Sequence, residues 1–312
     1  MAQAVKAAGI DVSKAWLDVA IWPTREEVRV SRDATGFSTL ICWLEEHDVT
    51  RVGLEASGGY ERDPIDALQA AGFEVAMLNP LRVRRFAQAK GRLAKNDHVD
   101  ARTVAQFTLI MLDRDPVPRR RDLDPLVELL TFRRQLNDWC TDCVNQREHL
   151  RDAPLRASVA RRLASFRLEL AKIDRKLAGL IAANDDWDAL ARRLRTVPGV
   201  GPIVAASLIA LLPELGTLSR REIASLVGLA PFDDDSGEHR GERHIKGGRK
   251  SVRDALYMAA LSARQHNPMI AAFAARLTRK KPKVILVACM RKLLVTLNAM
   301  LRDGTDWRCA TA

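Results

Sequence analysis

The 312-residue sequence is short of the features that mark several large classes of protein. Its five cysteines, Cys42, Cys140, Cys143, Cys289 and Cys309, are scattered and odd in number, which argues against a disulfide framework. Cys140 and Cys143 form a C-x-x-C, but no second Cys or His pair stands at zinc-ligand spacing. The pattern around them is helical, so they read as two thiols on a helix face, with a metal site as the weaker alternative. No apolar run is clean enough to cross a bilayer: the longest, Val284 to Leu301, is broken by Arg291 and Lys292, and a spanning helix needs about 20 predominantly apolar residues. The opening MAQAVKAAGIDVSK meets Asp11 before a signal-peptide core forms, so the expected location is the cytoplasm. Internal repeats and low-complexity tracts are also missing. Acidic residues are in deficit, 39 against 50 Lys and Arg, for a formal net charge of +11. Clustered cations gain free energy by displacing counterions from phosphates, which favours nucleic acid over a membrane as the partner.

The length suffices for two compact domains and a connector. Residues Val5 to Val12, Ala15 to Trp22 and Glu27 to Ser31 alternate as three short strands joined by tight turns. A helix over Gly36 to His47, a strand over Arg51 to Ala56, a helix over Tyr60 to Ala71, a strand over Phe73 to Leu78 and a helix after Pro80 follow. This is the element order of the α/β RNase H-like fold. From about Leu123 to Ala183 the chain reads as two long helices interrupted near Pro154, with leucines at three- and four-residue spacing. Such stripes suit an arm packed on its own domain or an intermolecular coiled coil, and the pattern favours neither. From Trp187 onward short helices alternate with glycine-rich loops, and no run of alternating strands stands out. The expected division is residues 1–121, 122–186 and 187–312.

Four acids stand out. Asp11 lies on the first strand, Glu55 ends the fourth, and Asp97 and Asp100 lie three apart at the start of a helix, where they share a face. Taken singly, each reads as a surface charge or a helix cap. Asp11 and Glu55, however, sit in otherwise apolar strands, where an unpartnered carboxylate is costly. Hard divalent ions such as Mg²⁺ or Mn²⁺ require oxygen ligands, and two such ions can hold the attacking and leaving oxygens of a phosphodiester. The four acids together make such a site. Nearby, Arg82, Arg84, Arg85, Lys90, Arg92, Lys95 and Arg102 form a basic run suited either to a solvated face or to a phosphate backbone.

Two further segments are suited to phosphate chemistry. Arg195 to Leu215, RTVPGVGPIVAASLIALLPEL, reads as a helix end, a hairpin with Gly199 and Gly201, and a new helix. It looks like a helix-hairpin-helix that seats a backbone phosphate, or like a helix turn whose glycines serve packing. Downstream, Ser236 sits in a polar, glycine-punctuated loop followed by Arg240, Arg243, Lys246, Arg249, Lys250 and Arg253. A Ser-Gly pair is commonly only a turn, but these cations suit phosphoryl transfer. His239 and His244 are local candidates for activating the hydroxyl, and metal activation is the other route.

With those residues in place the chain resembles the DEDD-type transposases of bacterial insertion sequences, insertion-sequence family 110, with relatives among Piv-type DNA invertases. The matching segments are GIDVSK, LEASGGYER, KNDHVDA, TVPGVGP, GLAP and the SG ahead of HIKGGRKSVRDALYMAA, in the family's order over nearly the whole chain. The resemblance implies a RuvC-like N-terminal domain, a coiled-coil arm and a C-terminal transposase domain with Ser236. It also implies a covalent serine-DNA intermediate, Mg²⁺ (or Mn²⁺) held by Asp11, Glu55, Asp97 and Asp100, a homo-oligomer that shares active sites, and an element-encoded guide RNA. A nucleoid-associated protein of the bacterial cytoplasm is expected. The Asp233-Asp234-Asp235 run before Ser236 departs from the expected pattern. Two rival functions remain at this point: a metal-only nuclease selective for DNA structure, of the Holliday-junction type, and a non-catalytic nucleic-acid-binding protein.

Overall fold

The computed structural model describes residues 5–91, 97–111, 121–232, 235–236, 239–241, 243–277 and 279–308. They fall into two compact units, residues 1–119 and 120–312.

In the first unit β1 (Ala7–Val12), β2 (Trp16–Trp22) and β3 (Glu27–Ser31) form an antiparallel meander. Then come α1 (Ala34–Glu46), β4 (Arg51–Glu55), α2 (Arg62–Ala70), β5 (Glu74–Leu78), α3 (Pro80–Ala89) and α4 (Asp97–Met111). The strands are ordered β3-β2-β1-β4-β5, with β4 parallel to β1 and β5 parallel to β4. This mixed sheet is the RNase H-like arrangement that the element order predicts. Alternation along each strand divides the side chains between two layers. Ile10, Leu17, Val19, Val52 and Leu54 point into a core closed by Leu40 and Leu44 of α1 and Ile65 and Leu68 of α2. The opposite face carries Gly9 and Gly53 and receives α4. A Cβ on Gly9 would overlap the Ala105 amide and the Ala101 carbonyl, and one on Gly53 would overlap the Thr108 hydroxyl. Small residues in the strands therefore let the helix lie directly on the sheet. Local signals set the helix starts: Asp33 accepts from the Gly36 amide at 2.9 Å, and Asn79 accepts from Leu81 ahead of a first-turn Pro80.

The second unit opens with a 3₁₀ turn at Arg121–Leu123, followed by α5 (Asp124–His149) and α6 (Ala153–Ala182). Pro154 stands in the first turn of α6, and Asp152 caps that helix through the Leu155 amide at 2.8 Å. The break expected near Pro154 is thus a helix start, where proline costs no hydrogen bond. At the base of this hairpin Leu126, Leu129, Leu136, Ile173 and Leu177 belong to the main core of the unit. Farther out, Cys143, Val159 and Leu163 form a separate small cluster, with Cys140 packed against it. Both thiols are free. The rest comprises α7 (Asp185–Arg195), α8 (Pro202–Leu211), α9 (Arg220–Val227), four two-residue strands, β6 (Pro231–Phe232), β7 (Asp235–Ser236), β8 (His239–Arg240) and β9 (His244–Ile245), then α10 (Lys250–His266), α11 (Pro268–Ala275) and α12 (Pro282–Arg302). The segment is mostly helical, as expected, with four short strands among the loops. Each pairing, β6 with β9 and β7 with β8, involves two residues per strand, too few to show an alternating pattern in the sequence. Helix α12 has the length and mean hydropathy (1.9) of a bilayer span. Yet Leu286, Cys289, Leu293, Leu294 and Leu297 bury its apolar side in the core of this unit.

Candidate functional site

The register of the sheet brings two of the four acids together. β1 and β4 run parallel with Ile10 opposite Leu54, so Asp11 and Glu55 occupy the next position on each strand. Neighbouring strands lie about 4.8 Å apart. By alternation both acids share the sheet face of Gly9 and Gly53, the face on which α4 packs, and α4 begins with Asp97 and Asp100. The side chains of Asp97 and Asp100 lie outside those described. Among the described residues, no cluster of three or more His, Cys, Asp and Glu side chains suits a metal ion. The donor chemistry at this strand end fits a hard cation: adjacent carboxylates with two more on the first turn of the covering helix.

Two supporting contacts have no signature in the sequence pattern. Asp18 stands directly across from Asp11 in the β1-β2 ladder, and Arg29 follows on β3. Arg29 clasps the buried Asp18 with both arms, Nε to Oδ1 at 2.6 Å and Nη2 to Oδ2 at 2.8 Å. A second negative charge beside Asp11 is thereby balanced from within the sheet. The other contact holds the turn after Glu55. Buried Glu61 accepts from the Ser57 amide (3.1 Å), the Ser57 hydroxyl (3.0 Å) and the Gly59 amide (2.8 Å) through Oε2. Burial pushes this carboxyl up, but hydrogen bonds from its own amide, Gly59 and Ser57 outweigh burial, and its pKa lies below the ordinary 4.5. Glu61 belongs to the same LEASGGYER segment as Glu55.

The basic run divides into separate roles. Arg82, Arg84 and Arg85 are exposed on α3, and the Arg82 guanidinium lies 5.6 Å from the Phe107 ring centre. Lys90 bonds Gln106 and sits 5.7 Å from the Trp22 ring centre. Arg102 is engaged by Glu27, whose hydrogen bond raises the arginine's pKa. Lys90 and Arg102 therefore have partners within their own unit. Arg92 and Lys95 lie outside the described residues.

In the second unit the Pro-Gly-Val-Gly segment does join two helices, α7 and α8. Gly199 has φ +103°, open to glycine at little cost, and a Cβ there would come within 2.7 Å of the Ala263 amide and 2.8 Å of the Ala259 carbonyl on α10. Its lack of a side chain is thus explained by packing. Gly201 is the N-cap of α8, and no side chain caps that helix.

Ser236 lies on β7, paired in register with His239 on β8; the side chains of Asp235, Ser236, His239 and Arg240 lie outside those described. The ribbon base is held by two of the cations expected to contact phosphates, Arg249 and Arg253. Arg249 binds Glu214 with both arms (2.6 and 2.5 Å) and the Leu211 carbonyl at 3.1 Å. Burial pushes the Glu214 carboxyl up, but hydrogen bonds from Arg249 and from its own amide, with the Arg249 charge, outweigh burial and lower its pKa. Arg253 donates to the carbonyls of Val227 (2.9 Å) and Gly247, where Gly228 and Gly248 approach too closely for either to bear a Cβ. Lys250 pairs with Asp254 at 2.7 Å on the exposed face of α10. These partners explain Arg249 and Arg253 as props of the loop, because their guanidinium hydrogens are directed at the protein. Arg243 and Lys246 are exposed.

An RNase H-like sheet with carboxylates at neighbouring strand ends, followed by a helical unit, sets the class of fold. Comparison with known proteins narrows the class. A DEDD-type IS110 transposase profile matches residues 8–153, and the profile of the transposase IS116/IS110/IS902 family matches residues 191–275. The chain belongs to this IS110-type family of DNA recombination enzymes. It is 23% identical over 310 residues to the pilin gene-inverting protein of Moraxella lacunata, covering 95% of each chain. A putative transposase of Sinorhizobium fredii is 30% identical over 148 residues, 45% of this chain and 37% of that one. Among solved structures, the RuvC structure from Thermus thermophilus aligns over 36% of this chain and 84% of its own, with 17% identity and a TM-score of 0.25.

Proposed function

We propose that this chain is a DNA transposase or invertase that cuts and rejoins strands through Ser236, assisted by a Mg²⁺ or Mn²⁺ site on Asp11, Glu55, Asp97 and Asp100. The observation that carries the reading is the placement of Asp11 and Glu55 at neighbouring strand ends on the face covered by the helix that begins with Asp97. When bound, divalent metal supplies charge neutralisation for phosphoryl transfer. Arg29 keeps Asp18 from adding an unbalanced charge there, and Glu61 fixes the turn that follows Glu55.

In the covalent step the Ser236 oxygen attacks a DNA phosphorus, the bridging P–O bond to one deoxyribose breaks, and the strand leaves with a free hydroxyl. The serine proton passes to a base, for which His239 and His244 are the local candidates beside metal activation, and a proton returns to the leaving oxygen. Attack by a hydroxyl of another strand on the phosphoserine ester releases the serine, so the number of phosphodiester bonds is conserved. Arg240, Arg243 and Lys246 serve as phosphate contacts at this loop, and Arg82, Arg84 and Arg85 serve in the first unit. The α7-α8 hairpin acts as a helix-hairpin-helix through Gly201. The α5-α6 hairpin acts as a coiled-coil arm in a dimer or tetramer. A guide RNA encoded by the element selects donor and target, a reading that rests on the family resemblance.

The decisive experiment uses a suicide DNA substrate and wild-type protein. A covalent protein-DNA adduct mapping to Ser236 is expected, lost in Ser236→Ala while DNA binding remains. An adduct at another residue, or full strand exchange by Ser236→Ala, would overturn the serine mechanism and favour a metal-only nuclease. Loss of every metal-dependent cleavage would leave only a binding protein.

A further inference from the structure

Beside the ribbon that carries Ser236 lies an open groove of about 1040 Å³ in the second unit. Its walls are Arg243 and His244 of the ribbon, the Arg279-Lys280-Lys281-Lys283 cluster leading into α12, and Arg291 one side of that helix farther on. Leu229, Pro231, Ile245, Val284 and Val287 form an aliphatic floor. None of the described lining residues carries a carboxylate, carboxamide or hydroxyl. Among the described residues, Arg279, Lys280, Lys283 and Arg291 have no carboxylate partner, unlike Arg249 and Lys250 nearby. Concentrating like charges on one wall carries a self-repulsion that a polyanion relieves.

We infer that this groove holds the phosphate backbone of the DNA strand next to the bond cut at Ser236, independently of base sequence. The inference rests on the proposed serine mechanism for its location and on the groove itself for its ligand. A lining of cations and aliphatic groups meets phosphates and sugars but offers few groups to read base edges, which require paired donors and acceptors. It also lacks aromatic rings, apart from His244, on which single-stranded bases would stack, and this favours the backbone of a duplex. Location follows from the chain: Pro231, in the groove floor, lies five positions before Ser236. At a reach of at most about 3.6 Å per residue the groove edge at Pro231 lies within about 18 Å of the serine backbone. That is roughly five steps of 3.4 Å along a strand.

The test measures binding of the full chain to labelled duplexes of unrelated sequence as a function of salt, in a Ser236→Ala background so that no cutting intervenes. Lys280→Ala/Lys283→Ala and Arg279→Gln/Arg291→Gln are compared with the parent, each first shown to melt at the parent temperature. Each phosphate contact removed should flatten the slope of log affinity against log salt by about 0.9, so each pair should flatten it by nearly two, equally for every duplex. Unchanged slopes in both pairs would overturn the inference. So would a loss confined to one DNA sequence, or one larger on an RNA hairpin than on DNA. Failure of the serine mechanism appears separately, as an absent adduct in the Ser236 protein, and leaves these slopes unaffected.

Discussion

Gly9 of β1 lies against Ala105 of α4 with no room between them for a Cβ. The contact sets the height of the helix whose first turn holds Asp97 and Asp100 above the strand that holds Asp11. Gly9→Val is expected to push α4 off the sheet, lowering stability by about 1–3 kcal/mol through overpacking and abolishing recombination. Chemical denaturation and a recombination assay check both effects. A Gly9→Val protein with parental stability would show that the helix adjusts freely and that the glycine does not position it.

Asp18 and Arg29 lead to a second expectation. Arg29 is half exposed whereas Asp18 is buried, so removing the arginine strands a buried charge beside Asp11. Arg29→Met should cost about 1–2 kcal/mol, discounted for the solvent around the arginine. Adding Asp18→Leu should recover most of it, because the uncompensated charge is then gone. A double-mutant cycle by urea denaturation measures the coupling; strictly additive losses would mean that the two side chains act independently.

Glu61 and Glu214 make stability depend on acid. Both carboxyls have folded pKa values below the ordinary 4.5, so each stabilises the fold fully above that value and loses this contribution as pH falls through its lowered folded value. Glu61→Gln and Glu214→Gln should therefore flatten the fall of the melting temperature below about pH 4.5 and lower the plateau at neutral pH. A parental pH profile in both variants would contradict the hydrogen-bond account.

Much of this architecture is legible in the sequence, and the reason is periodicity. Strands β1 to β5 alternate over five to seven residues, and α5 and α6 repeat their leucines at helical spacing, so their existence and order follow from pattern alone. Asp11 and Glu55 stand out as acids in apolar strands. What escapes is what pattern does not encode. A carboxylate such as Glu61 that collects amides of its own turn looks like any surface glutamate. Arg249 and Arg253 look like phosphate contacts until Glu214 and the carbonyls of Val227 and Gly247 are seen to claim them. The groove cations at 279–283 stand some 40 residues beyond the serine loop in sequence and meet it only through the packing of α12.

Metal binding and adduct formation, the two halves of the proposed chemistry, separate by mutation. If Asp11 and Glu55 hold metal, Asp11→Asn and Glu55→Gln remove ligand charge from a site at the ends of two interior strands and leave the core on the opposite face untouched. Both variants should keep their melting temperature in the absence of metal and should bind Mn²⁺, followed by its paramagnetic resonance, at least about tenfold more weakly. They should also form no serine-DNA adduct. Ser236→Ala should show the reverse, parental Mn²⁺ binding with no adduct, since the hydroxyl is not among the proposed ligands. Arg29→Met provides the control for a general electrostatic disturbance: it leaves every proposed ligand in place and increases the negative charge around Asp11, so Mn²⁺ binding should hold or tighten. Parental Mn²⁺ binding in both Asp11→Asn and Glu55→Gln would remove these acids from the metal site, whatever their effect on recombination.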